Sequence, residues 1–263
     1  MRALIPYVDI PVYEIGPVVL DSWTILVLTS FVVGLEISRS RGLKLGLKVK
    51  EIVDGICWTV GMGFVVGHLV HVLAYNRWMI DEQGWVVLLY FWAGLSSTGG
   101  FLGAVIGSLV YYKLIIKKSW AVHADAIGWA FPFAWVIARL ACFSVHDHKG
   151  KLSDFWLAVD FPEGARHDLA LYEALWMMVI SAVFYALRDR KVRPGFFLVL
   201  LVTLYTPIRF FLDFLRNTDL QDADVRYAGL TPAQWIVASL FSVGLYAALE
   251  MRGKGAEESS SEE

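Results

Sequence analysis

Three groups of polar residues stand where the surrounding chain is too apolar to hold them without a reason. Arg139 interrupts an apolar run, and Arg209, Asp213 and Arg216 recur at i, i+4 and i+7 in another, a spacing that stacks all three on one helical face. The segment His146-Asp147-His148 begins seven residues after Arg139. Guanidiniums are planar forks that grip phosphate bidentately, and an imidazole beside a carboxylate suits proton transfer. One Asp cannot neutralise Arg139, Arg209 and Arg216 together, so this reading calls for an anion, and a phospholipid head group is the anion available. The plainer alternative pairs Arg209 with Asp213 inside a helix bundle and lets Arg139 and Arg216 snorkel to a membrane surface. For the histidines the alternatives are a solvated loop or a metal site with His167 as a third ligand. That metal signal is weak, and no metal is assigned.

The elements that must position these groups are membrane-spanning helices. Of 263 residues, 57% are hydrophobic and 18% charged, too apolar for one soluble core, which excludes a soluble enzyme, a disordered chain and a nucleic-acid binder. Crossing a hydrocarbon layer of ~30 Å takes about 20 helical residues. Segments of that size lie near 17–37, 52–75, 98–116, 124–145, 170–187, 195–215 and 231–250, which predicts an all-α, seven-span membrane bundle. Charged residues inside such spans cost about 2.5–3.5 kcal/mol even on lenient insertion scales, so Arg139, Arg209, Asp213 and Glu173, which opens span five, are candidates for function. The 28 positions from Trp85 to Tyr112 carry no charge. The run Ser96-Ser97-Thr98-Gly99-Gly100 breaks them, so Trp85–Leu95 is expected to lie in the interface or re-enter.

Lys and Arg concentrate in loop 38–51, at Lys117-Lys118 and in 188–193, which makes those loops cytoplasmic and places the N-terminus outside and the C-terminus in the cytoplasm. A single membrane domain over 1–251 with a small outer headpiece at 146–169 follows, and 252–263 reads as an acidic, Ser-rich, disordered tail. The N-terminus lacks the basic flank and cleavage site of a signal peptide. Cys57 and Cys142 both lie in apolar stretches, which speaks against a disulfide. His68 and His71 are expected to make structural hydrogen bonds in the bundle, and His123 to sit at the interface. Gly99, Gly100, Gly103 and Gly107 have close-packing spacing. Gly99-Gly100 at a helix start is also a candidate for binding a lipid phosphate through backbone N–H groups.

The chain resembles the prolipoprotein diacylglyceryl transferases, bacterial inner-membrane enzymes that move diacylglycerol from phosphatidylglycerol to a signal-peptide cysteine. The resemblance covers nearly the whole chain. It is carried by GHLVHVLAYN at 67–76, STGGFLG at 97–103, Ala138-Arg139-Leu140 with the following Gly150, RHDLALYEAL at 166–175 and RFFLDFLR at 209–216. Three departures accompany it: Thr98 stands where the family has a histidine before the Gly pair, Leu140–His146 replaces a Gly- and Asn-containing run, and Trp23 stands in place of an early Tyr.

The resemblance implies phosphatidylglycerol, prolipoprotein signal peptides and the bilayer as partners, with no cofactor and no nucleic acid. It assigns phosphatidylglycerol to Arg139, Arg209, Asp213, Arg216, Gly99, Gly100 and Gly150. Arg139 and Arg209 would stabilise the leaving phosphate, and His146 or His148, tuned by Asp147, would replace the missing base, with His71 second. The rival readings are a silent relative that binds phosphatidylglycerol or signal peptides, and a small anion transporter, against which the lack of internal repeats counts.

Overall fold

The computed structural model describes residues 5–15, 18–220 and 223–261. Seven of its helices are long and apolar enough to cross a membrane: Ser22–Lys44, Val49–Tyr75, Ser97–Ile115, Trp120–Val145, Leu169–Leu187, Phe196–Leu215 and Pro232–Gly253. In chain order the α-helices are α1 (Ser22–Lys44), α2 (Val49–Val70), a short α3 (Trp78–Gln83), α4 (Ser97–Leu109), α5 (Trp120–Val145), α6 (Leu169–Leu187), α7 (Phe196–Leu212) and α8 (Pro232–Ser261). Six of the spans lie close to the expected segments. The first is displaced from 17–37, because Val18–Leu20 is spent in a strand and the Asp21 side chain accepts the Thr24 N–H as an N-cap. The last helix continues to Ser261, across residues expected to be disordered, where Ala, Glu and Lys are good helix formers.

Helix α2 packs along α4, and α1 along α5. The α2–α4 contact is close because α4 presents glycines: a Cβ on Gly103 would come 2.2 Å from the Met62 carbonyl oxygen. Helices α5, α6 and α7 enclose the main core of Trp129, Met177, Ile180, Phe184, Phe197, Leu201 and Tyr205. Asp125 of α5 sets the start of α7, its Oδ1 accepting the Phe197 N–H at 2.7 Å and the Leu198 N–H at 3.4 Å. Between α2 and α4 the uncharged run folds as 3₁₀ turns at Trp85–Leu89 and Phe91–Ala93. His68, fully buried on α2, ties down this irregular backbone, its ring nitrogens 3.0 Å from the Gly94 oxygen and 2.9 Å from the Val87 oxygen. His123, expected at the interface, is buried with Nε2 3.5 Å from Glu51.

The strands are β1 (Ile5–Pro6), β2 (Tyr13–Ile15), β3 (Val18–Leu20), β4 (Lys149–Leu152), β5 (Val159–Phe161) and β6 (Gly164–Asp168). Four of them form one small sheet in the order β1-β5-β6-β4, with β1 parallel to β5 in the register Ile5 to Val159. The N-terminal segment and the segment after α5 therefore lie at the same end of the bundle. Arg166 of β6 binds Asp219 through two nitrogens at 3.1 and 2.6 Å, anchoring the α7–α8 connection to this sheet.

Candidate active site

At the sheet end of the bundle, α5, α6 and α7 each contribute a charge to one buried network. Glu173 of α6 is its centre. Its Oε1 accepts from Trp135 Nε1 at 2.9 Å and from the Tyr205 hydroxyl, and lies 2.9 Å from Arg139 Nε; its Oε2 lies 3.8 Å from Arg209 Nε. The Arg139 guanidinium also stacks over the Trp135 ring, 4.6 Å from its centroid. Arg209 Nη1 donates to Asp213 Oδ1, and Asp213 Oδ2 accepts the Thr231 hydroxyl. Arg216 Nη1 lies 3.7 Å from Asp213 Oδ1, and its Nε lies 2.6 Å from Asp224 Oδ2.

This geometry corrects the charge count made on sequence. Three guanidiniums face three carboxylates, because Glu173 sits between Arg139 and Arg209 and Asp224 pairs with Arg216. No anion is needed to neutralise the cluster, and the cavity lined by Arg209 and Arg216 does not have Arg139 in its lining. Glu173 was visible as an intramembrane charge, but its partners are on other helices. Asp224 lies in a connection, where an acid is unremarkable. Burial lifts the Asp224 carboxyl above the usual carboxylate range while Arg216 pulls it down. Asp224 thus takes a proton, and releases its hold on Arg216, at a higher pH than an ordinary Asp.

Beside this network is a cavity of about 350 Å³, within the range of about 300–1,000 Å³ usual for small-molecule sites. Arg209, Arg216, Asp224, His148, His71, Tyr75 and Ser96–Thr98 line it. His71 and Tyr75 reach it because α2 ends in a π-helical turn over His71–Tyr75. Thr98 is on the wall.

The remaining predicted residues lie around this cavity in other roles. Glu173 and Asp213 hold Arg209, and Arg139 lies across Glu173 from it. Gly99 and Gly100 do not offer free N–H groups, since Ser96 Oγ accepts the first at 3.3 Å and the Ser96 carbonyl the second at 2.8 Å. Gly99 is there for contact: a Cβ on it would sit 2.6 Å from Val70 Cβ. Gly150 forms a bridge with Arg216, and a Cβ there would come 2.6 Å from the Leu215 oxygen. It lets the sheet cross the end of α7 and so fixes the backbone of Arg216.

The three residues read as one unit at 146–148 are divided. His146 takes a left-handed conformation (φ 50°, ψ 41°) at the end of α5. Its ring turns inward, with Nδ1 2.9 Å from Asp168 Oδ2, packed on Tyr7, Phe143 and Phe161. Asp168 also caps α6, so His146 is part of the joint between helix and sheet and is away from the cavity. His148 faces the cavity, and its Nδ1 contacts Asp147 Oδ1. His167, weighed as a metal ligand, bonds the Tyr172 hydroxyl at 2.8 Å instead, and burial lowers its affinity for a proton.

Fold and site together define a multi-pass helical membrane protein with a cation-walled cavity beside a buried arginine–carboxylate network. A profile of the prolipoprotein diacylglyceryl transferases matches residues 11–249. The chain belongs to that family. It is 26% identical to a phosphatidylglycerol–prolipoprotein diacylglyceryl transferase of Allorhizobium ampelinum, over 96% of this chain and 94% of the relative. Similar proteins of the same name occur in Nitratidesulfovibrio vulgaris, 26% identical over 94% of this chain and 96% of the relative, and in Mannheimia succiniciproducens, 27% identical over 82% of each.

Proposed function

We propose that the protein transfers the diacylglyceryl group of phosphatidylglycerol to the cysteine of a prolipoprotein signal peptide at the outer face of the bacterial inner membrane. The observation that carries the reading is the cavity whose lining brings together Arg209, Arg216, His148, His71 and Thr98. The phosphate of the lipid would lie against Arg209 and Arg216, with Glu173 and Asp213 holding Arg209 in place. The cysteine thiol gives its proton to His148, whose Nδ1 is held by Asp147. The thiolate attacks the glyceryl carbon bonded to the phosphate oxygen. A C–S bond forms as the C–O bond breaks, and glycerol phosphate leaves carrying the electron pair. Charge grows on that phosphate as the bond breaks, so guanidiniums at this place favour the transition state over the bound lipid. A base is needed because a free thiol with pKa about 8.5 is only a few per cent ionised at neutral pH. The imidazole beside the cations is what favours transfer over mere lipid binding, and over an anion path.

The test is transfer of diacylglycerol from phosphatidylglycerol to a lipobox peptide by the purified protein, read as a gel shift. His148→Ala should lower transfer by about 10²-fold, within the usual range for acid–base catalysis, with lipid binding retained. His146→Ala should act through stability instead, lowering the melting temperature. Full transfer by His148→Ala makes His71 the base, and no transfer by the intact protein, with lipid still bound, makes it a binding protein.

The orientation belongs to the same proposal. With Cys57 and Cys142 replaced, an impermeant thiol reagent on intact cells should label a cysteine at the exposed Asp154 position and spare one at Ser40. The reverse pattern would put the site on the cytoplasmic face and overturn the reading.

A further inference from the structure

We propose that Cys142, Asp147 and His148 form a transition-metal site, suited to Zn²⁺, at the rim of the cavity. The site is made by the end of α5. Left-handed His146 stops the helix, and the Asp147 N–H turns back to the Cys142 oxygen at 3.4 Å. That turn lays Asp147 and His148 over Cys142. One ligand atom from each then lies within 4.8 Å of the other two. Around Zn²⁺, with bonds of about 2.0–2.3 Å, tetrahedral ligand atoms sit roughly 3.5 Å apart, so closing the site takes a side-chain movement of about 1 Å. Asp147 is exposed and Cys142 and His148 are half-buried, so each side chain has room to make it.

The donor chemistry is selective. Thiolate, imidazole and carboxylate together suit Zn²⁺ and Co²⁺ rather than Mg²⁺ or Ca²⁺, which take oxygen ligands. Arg139 Nη1 lies 3.7 Å from Cys142 Sγ, so a donor already faces the atom that must carry negative charge. Glu173 balances the charge of that Arg139. Three protein ligands leave a fourth position open, on the side where His148 lines the cavity.

Occupancy has a consequence that rests on the transferase reading. The metal would claim the imidazole lone pair that accepts the thiol proton, so Zn²⁺ would switch transfer off, reversibly. Metal-free full-length protein in detergent, titrated with Co²⁺, should show the thiolate-to-Co²⁺ charge-transfer band and the visible bands of tetrahedral Co²⁺, both lost on adding Zn²⁺. Cys142→Ser should abolish the charge-transfer band, and Asp147→Asn should weaken binding by about 10-fold or more. A wild-type protein without the band, or a band that survives Cys142→Ser, overturns the site. In the transfer assay Zn²⁺ should inhibit the wild type until a chelator is added and leave Cys142→Ser active. Metal binding without inhibition overturns the switch. A metal-free protein that binds Co²⁺ as described and never transfers lipid counts against the transferase reading alone.

Discussion

Replacing Arg209 by Lys should reduce diacylglyceryl transfer by about 10²–10³-fold, the usual loss when one well-placed donor to a developing negative charge is removed. The substitution keeps a positive charge in the cluster, so Glu173 and Asp213 remain opposed and the fold should survive. What is lost is the fork. Arg209 reaches Asp213 through Nη1 and faces Glu173 through Nε while it walls the cavity, and a single ammonium cannot hold all three directions. Measured at saturating and at low phosphatidylglycerol, the loss should appear in kcat. A variant with wild-type kcat and a raised KM would mean that Arg209 binds lipid without assisting departure of the phosphate. A variant with neither change would remove Arg209 from the site.

Arg139→Ala should lower stability by about 3–5 kcal/mol, because it leaves the buried Glu173 carboxylate with Arg209 alone at 3.8 Å. The second substitution Glu173→Gln should restore much of that loss, since it removes the uncompensated charge and keeps an oxygen for Trp135 Nε1 and the Tyr205 hydroxyl. Thermal melting of the single and double variants in detergent, arranged as a double-mutant cycle, measures the coupling. Equal destabilisation by Arg139→Ala with and without Glu173→Gln would show that Trp135 stacking, and not charge balance, accounts for the effect of Arg139.

The spans were legible because a membrane helix must be long and apolar, a property of each segment alone. Only the first was displaced, by Asp21, whose side chain starts the helix later than the apolar run begins. The charged cluster was half legible. Arg209, Asp213 and Arg216 share one helix face, so spacing brings them together, but Glu173 and Asp224 meet them only across helices and connections, which no periodicity records. Adjacency misled at 146–148: one left-handed residue sends His146 into the sheet joint and His148 to the cavity. Asp125 escaped notice because an acid near a helix start looks interfacial, while its task is to hold the first N–H groups of a different helix.

The Arg139–Glu173 contact also constrains how the chain enters the membrane. During synthesis α5 is complete before any part of α6 exists, so Arg139 meets the hydrocarbon with no counter-charge and α5 alone is a poor inserter, by about 2.5–3.5 kcal/mol for that residue. Glu173 is made only after the sheet segment between the two helices. The pair therefore enters most favourably as a helical hairpin, both charges moving together, and α5 should wait beside the insertion machinery until α6 arrives. The sheet closes in the same order, since β5 is made long after β1 and completes a parallel pairing with the first residues of the chain. Such a distant contact forms late and slowly.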